Sequence, residues 1–171
     1  MKISFAVITL SDRSARGERE DKSGPSIIEW VRENFSWDLL EYKILPDEKD
    51  LLRKTFLDLI SKKVDVIFTT GGTGVTSRDI TPDVTLEIIE KRLHGVETLI
   101  MVKSIEITPL SALSRGVIGI SGKTLIINLP GSPKAVLENL NIIKPILPHL
   151  LDKIQDKDYE CEKYRNEFEK K

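Results

Sequence analysis

Residues 64–83 read Val-Asp-Val-Ile-Phe-Thr-Thr-Gly-Gly-Thr-Gly-Val-Thr-Ser-Arg-Asp-Ile-Thr-Pro-Asp, and this stretch decides the fold. Its first five residues form an apolar run that reads as a buried strand. A glycine-rich turn, Thr70-Gly71-Gly72-Thr73-Gly74, follows at once. Ser77-Arg78-Asp79 makes a charged loop, and Thr81-Pro82-Asp83 opens a helix: threonine suits the cap, proline the first turn, and aspartate the positive end of the dipole. Strand, glycine turn and helix start are the layout of a phosphate site at the carboxyl edge of an α/β sheet. Glycines let successive N–H groups approach an oxyanion, Thr70 and Thr73 add hydroxyls, and Arg78 can balance charge. Asp79 would repel a phosphate unless a divalent cation stands between them, and Mg2+ held by one or two carboxylates plus substrate phosphates has that form. The competing reading is a tight turn feeding a helix, with Asp79 solvated. Neither the Walker pattern nor G-x-G-x-x-G is present.

The rest of the chain alternates strands and helices. Residues 3–10 are apolar and β-branched, a central strand covered on both faces, ending in Ser11-Asp12-Arg13-Ser14 at the ligand-binding edge. Ser23-Gly24-Pro25 starts a helix with Ile27, Ile28, Val31 and Phe35 inward, and Trp30 covers an edge. Residues 39–45 form a second strand that stops at Pro46. Asp47 can cap the following helix, whose inner face carries Leu52, Phe56, Leu59 and Ile60. The helix opened by Thr81 is expected to run through Val84, Ile88, Ile89 and Arg92 to Leu93, where His94-Gly95 reads as a stop. Residues 97–107 read as helical, and Thr108-Pro109 opens a short helix ending at Leu113-Ser114-Arg115. Runs 116–121 and 123–128 flank Ser121-Gly122 as a β-hairpin. A second ligand loop, Asn128-Leu129-Pro130-Gly131-Ser132-Pro133-Lys134, leads into a helix over 135–143. Pro145 and Pro148 interrupt it before a last short helix.

The chain has 171 residues and a formal net charge of −1, which suits one domain and gives no basic field for nucleic acid. No apolar run is long enough for a membrane span, and the first ten residues lack signal-peptide character. A single cysteine excludes an intrachain disulfide and a cysteine-based zinc cluster. The cytoplasm is the compartment these features suggest. Residues 1–155 read as the domain, and 156–171 as a charged tail in which Cys161 is an ordinary thiol.

Thr69-Thr70-Gly71-Gly72-Thr73-Gly74 followed by Arg78-Asp79-Ile80-Thr81-Pro82-Asp83 resembles the signature of the molybdopterin-binding fold of molybdenum-cofactor biosynthesis. Ile8-Thr9-Leu10-Ser11-Asp12-Arg13, Asp21-Lys22, Leu45-Pro46-Asp47-Glu48, Leu113-Ser114-Arg115 and the Pro130-Gly131-Ser132 loop sharpen the resemblance to stand-alone molybdopterin adenylyltransferases of the MogA type, with MoaB as a near relative. The chain departs from the family pattern at Thr98 and Met101, where a glutamate and an arginine are common. The resemblance implies a three-layer α/β fold: a mostly parallel sheet with one antiparallel strand, and helices on both faces. It implies transfer of AMP from Mg-ATP to the terminal phosphate of molybdopterin, with pyrophosphate released. Asp47 and Asp79 would be catalytic and hold Mg2+. Gly71, Gly72, Thr73 and Gly74 would cradle phosphate. Ser11, Asp12 and Arg13 would line the floor, Ser114 and Arg115 the rim, and Pro130, Gly131 and Ser132 the pterin or nucleotide end. A homotrimer and a partner that inserts molybdenum are also implied. Two alternatives stay open: a carrier of the MoaB type that binds molybdopterin without adenylylating it, and a scaffolding domain.

Overall fold

An interior strand of the sheet, β1 (Ser4–Leu10), is buried on both faces because its residues alternate between two apolar clusters. Phe5 and Val7 join one cluster, while Ala6, Ile8 and Leu10 join the other. Such a strand is stable only between two covering layers. The computed structural model describes residues 2–156 and supplies both; the tail reading for 157–171, with Cys161, falls outside the described residues.

After β1 come α1 (Asp12–Ala15), α2 (Ser23–Asn34), β2 (Asp38–Leu45), α3 (Lys49–Ser61), β3 (Val66–Thr70) and α4 (Thr81–Ile88). Next are β4 (Lys91–Arg92), α5 (His94–Ile107), a 3-10 turn (Pro109–Leu113), β5 (Ile118–Ser121), β6 (Thr124–Leu129), α6 (Pro133–Ile143) and α7 (Leu147–Ile154). The six strands order as β2-β1-β3-β6-β5-β4. β1 pairs in parallel with β2 and β3, and β3 with β6; β5 runs against both its neighbours. The expected fold, with its one antiparallel member, is the one observed. Helices α2 and α6 cover one face, and α3 and α4 the other. Phe56 on α3 and Phe68 on β3 are fully buried, each contributing about 2–3 kcal/mol of apolar burial. Among the described residues no helix is long and apolar enough to cross a membrane.

Two expectations fail at the β4 edge. The helix opened by Thr81 stops at Ile88 instead of reaching Leu93, and residues 91–92 add a sixth strand. Backbone pairing explains this: Glu90 donates to the Ile120 carbonyl and Leu93 to that of Ile118, each at 2.8 Å. Gly119 makes the approach possible, since a Cβ there would lie 2.8 Å from the Lys91 carbonyl oxygen. His94-Gly95 is not a stop either; it opens α5. Gly95 lacks the positive φ that a glycine stop requires, and Glu97 in the new helix's first turn accepts the Ile118 N–H at 2.9 Å.

The chain passes from β1 to β2 on one side and returns to β3 on the other. The carboxyl ends of β1 and β3 therefore diverge at a switch point, where α/β sheets open a crevice.

Candidate active site

The glycine turn leaves β3 at this crevice. Gly71 has φ +91° and stands where a Cβ would run into the Leu10 carbonyl, so only glycine fits. Its N–H donates to the Leu129 carbonyl at 3.2 Å, and its carbonyl accepts the Thr81 hydroxyl at 3.0 Å. Thr81 is thus the first residue of α4 and a fastener of the turn, not its cap, which is Ile80. Thr70 donates to the Pro130 carbonyl at 2.7 Å, joining the turn to the second glycine loop. Gly131 packs there so closely that a Cβ would lie 3.5 Å from Gly71 Cα.

Asp47 does not cap α3, whose capping residue is Glu48. Its carboxylate instead accepts the Asp12 N–H at 3.2 Å, while Asp12 accepts the Asp47 N–H at 3.0 Å. The ends of β1 and β2 are clasped by these reciprocal bonds. Asp47 Oδ1 would lie 3.0 Å from a Cβ on Gly72, and Asp79 Oδ2 2.9 Å from one on Gly74. The two carboxylates therefore approach the same turn from separate loops. Burial pushes the Asp47 carboxyl above its ordinary value, and the charges on Asp12 and Asp79 add to this against the Asp12 N–H and Arg78. Burial acts on Asp79 too, but Thr76, the Gly74 amide and Arg115 outweigh it and hold that carboxyl low. Thr76 donates to Asp79 Oδ2 through its N–H at 2.8 Å and its hydroxyl at 2.7 Å.

The arginines beside the turn have other partners than a phosphate. Arg78 forks onto Asp12, and these hydrogen bonds lower the Asp12 carboxyl. Arg115 donates to the carbonyls of Gly74 and Asp79 and to the Asp83 carboxylate, so it splints the loop 74–83. It also lines a surface cleft beside Ser114, the residue it was expected to share a rim with. Thr73 is buried, and its carbonyl accepts the Arg115 N–H at 2.9 Å.

Ser11, Asp12, Arg13 and Asp47 line one cleft of about 650 Å³ with Gly71, Gly72, Gly131 and Ser132. Ser11 caps α1, a short helix where a loop was expected, through its hydroxyl and the Ser14 N–H. Ser132 is at the cap position of α6 without a capping side-chain bond. Ser114 and Pro130 line a different cavity of about 230 Å³, walled by α5, the 3-10 turn and α6. Pro130 lines this cavity, and the next residue, Gly131, lines the cleft. Among the described residues no three His, Cys, Asp or Glu side chains are grouped to hold a metal ion.

Asp21 is the member of this site for which sequence reasoning found no role. Its carboxylate accepts from the Thr9 and Tyr42 hydroxyls, each at 2.6 Å, and from the Ser23 N–H, the Ser23 hydroxyl and the Gly24 N–H. An aspartate two residues ahead of the Ser23 that starts a helix is the signal that could have revealed it. Burial would raise the Asp21 carboxyl, but these bonds outweigh it and hold it below the ordinary value. Burial and the bond to Asp21 push the Tyr42 phenol up. A depressed carboxyl stabilises the fold above its unfolded pKa of about 3.9, and the gain is lost as pH falls through the lower folded value. Asp21→Asn is therefore expected to be less stable than wild type near neutrality, with the gap narrowing below about pH 4. Urea midpoints across that range check this; a constant gap would show that the carboxylate's charge contributes nothing.

The probable molybdopterin-binding domain model matches residues 6–149, most of the chain, including every element that builds this cleft. The chain belongs to this molybdopterin-binding family. It is 40% identical over 155 residues to a molybdopterin adenylyltransferase of Helicobacter pylori, covering 89% of this chain and 88% of that protein. It is 41% identical over 155 residues to the molybdenum cofactor synthesis protein cinnamon of Drosophila melanogaster, which covers 90% of this chain. The chain spans about a quarter of that longer relative, 26% of its length. Among solved structures, the molybdopterin biosynthesis enzyme MoaB of Thermus thermophilus superposes with a TM-score of 0.84 at 37% identity, covering 92% of this chain and 99% of that one. The family assignment and the fold agree with the resemblance carried by the two glycine loops.

Proposed function

We propose that this chain is a molybdopterin adenylyltransferase, transferring AMP from ATP to the terminal phosphate of molybdopterin and releasing pyrophosphate. The observation that carries the reading is the approach of Asp47 and Asp79 to one glycine turn from separate loops. A pure anion binder gains nothing from two carboxylates at a phosphate. The relatives named adenylyltransferases support the same reading.

The implied Mg2+ fits this donor set. Burial raises the Asp47 carboxyl and the charges on Asp12 and Asp79 add to this, an unfavourable setting for a carboxylate that a cation would relieve. The Asp12 carboxylate beside Asp47 is taken up by Arg78 and the Asp47 N–H, and among the described residues no three such side chains are grouped to hold a metal ion, so the fit is to an ion that completes its shell with substrate phosphates and water. Asp47 and Asp79 would hold it, and when bound it supplies charge neutralisation for the triphosphate. The attacking phosphate is already an anion, so the protein's part is positioning. The Gly71–Gly74 turn orients the α-phosphate, Thr70 and Thr81 keep that turn rigid, and Ser11, Asp12 and Arg13 form the floor. The 230 Å³ cavity, with Ser114 and Pro130 on its wall, offers the pterin apolar contacts from Ile100, Met101 and Leu110 and hydrogen-bonding groups from Asn128 and Asn139, and Gly131 and Ser132 line the adjoining cleft at the pterin or nucleotide end.

A homotrimer is part of this reading, supported by α5. Only Ser104 of that helix is buried, while Val102, Ile105 and Ile107 are exposed beside Leu110 and Leu113 of the 3-10 turn. Its product would pass to a molybdenum-inserting partner, and its need for ATP suits the cytoplasm. The likeness to a MoaB structure supports a second reading, a carrier that holds molybdopterin without adenylylation. A pyrophosphate-release assay with molybdopterin, ATP and Mg2+ separates the two. Stoichiometric release is expected from the transferase; tight molybdopterin binding with no release would leave the carrier.

A further inference from the structure

The cations that the sequence offers beside the glycine turn are engaged by the protein itself. Arg78 lies 3.0 Å from Asp12 Oδ2 through Nε and 2.8 Å from Oδ1 through Nη2. Arg115 is taken up by Asp83 and two loop carbonyls, and Arg16 pairs with Glu18 at 2.8 Å. The 650 Å³ cleft also carries Arg13 on its floor and Arg19 and Lys22 at its exposed rim; all three are exposed, and among the described residues none forms an ion pair. Glu20 and Asp21 share this rim, but Asp21 is met by five hydrogen-bond donors from β1, β2 and α2.

Those five bonds also make the rim a built feature. They tie the returning end of the 16–22 loop to the carboxyl edge of the sheet, so Lys22 is placed at the cap of α2 by an anchored neighbour. Gly24 closes the arrangement, since a Cβ there would meet the Asp21, Tyr42 and Thr9 side chains within 2.7 Å. The cleft thus carries, on one continuous lining, the Asp12 and Asp47 carboxylates, Gly71 and Gly72 of the turn, and three cations with no ion pair among the described residues.

We infer that Arg13, Arg19 and Lys22 form the subsite for the β- and γ-phosphates of ATP, and for pyrophosphate as it leaves. This rests on adenylyl transfer being the reaction. A terminal phosphate oxygen of molybdopterin bonds to the α-phosphorus, and the bond from that phosphorus to the α,β-bridging oxygen breaks. The electron pair stays on the bridging oxygen, so negative charge builds on pyrophosphate with no proton transferred. Cations at that end stabilise the charge as it develops. The nucleotide's tail accordingly points toward the loop between α1 and α2, and its α-phosphate faces the glycine turn and the Pro130-Gly131 loop.

The test is calorimetric titration of inorganic pyrophosphate with Mg2+ into the full chain and into its Arg19→Ala/Lys22→Ala double variant. Both positions are exposed, so the fold should persist, and circular dichroism checks that it does. Pyrophosphate affinity is expected to fall about tenfold, with a similar rise in the KM for ATP. AMP, which lacks the outer phosphates, should bind both proteins alike, and Lys22→Arg should keep wild-type affinity. Unchanged pyrophosphate affinity in the double variant, or an equal loss for AMP, would overturn the subsite. If wild type turns over while the double variant binds pyrophosphate as well as wild type does, only the subsite is lost. If wild type releases no pyrophosphate from ATP and molybdopterin, the transferase reading falls with it.

Discussion

Asp79→Asn is expected to lower the rate of adenylyl transfer about a hundredfold or more while leaving the fold in place. On the proposed reading the substitution removes a charge that would hold the metal ion, and it keeps an oxygen at the same point. Thr76 donates to Asp79 Oδ2 through both its N–H and its hydroxyl, and an asparagine carbonyl can accept both bonds. The turn should therefore hold its shape, and the melting temperature should change by only a few degrees. The defect should appear in kcat, with a steeper demand for Mg2+, because the lost interaction is strongest when charge moves to pyrophosphate. Steady-state kinetics across a Mg2+ series checks this. Full turnover with unchanged metal dependence would remove Asp79 from the reaction and leave it as a fastener of the loop.

Gly71→Ala should act on the fold and on the site together. A Cβ at Gly71 would drive into the Leu10 carbonyl, which is backbone and cannot swing away. The φ of +91° adds strain for any L side chain. Relief requires moving the turn, and that breaks the Gly71 N–H bond to Leu129 and the Thr81 bond to the Gly71 carbonyl. The combined cost is about 3 kcal/mol, or roughly 10 °C in Tm for a domain of this length. Gly17→Ala is the matched control: its φ is +72° and nothing lies within 4 Å of its notional Cβ, so only about 1 kcal/mol is expected. Calorimetric melting of the two variants, with ATP binding alongside, makes the comparison. Similar melting temperatures would mean that the turn is looser than its packing implies.

Much of the architecture was legible because the local pattern is strong. Residues 5–8 and 66–68 are apolar without a break, on both pleat faces, and that alone demands layers on both sides of a sheet. The hairpin around Ser121-Gly122 and the proline-interrupted end after Ile143 were legible for the same reason, since turn chemistry is carried by adjacent residues. The edge at β4 was not. His94-Gly95 has the composition of a helix stop, yet Gly95 takes no positive φ, and the strand before it exists because Gly119 of β5 leaves room for the Lys91 backbone. No window of sequence around residue 94 contains that glycine.

The site divides along the same line. By itself the sequence determined which residue types stand at the carboxyl ends of the strands: carboxylates at 12, 47 and 79, glycines at 71, 72, 74 and 131. Those positions follow from where each apolar run stops, which is local. Only the tertiary structure decided which charge meets which. Arg78 belongs to Asp12, 66 residues away, and Arg115 to Asp83, 32 residues away. Asp47 turns from the cap of its own helix to the Asp12 amide, and Arg13, Arg19 and Lys22 line the cleft with no ion pair among the described residues. A side chain's partner depends on strand order and on how closely loops approach, and both are set by the packing of distant segments, whereas a backbone's preference for strand or helix is set by its immediate neighbours.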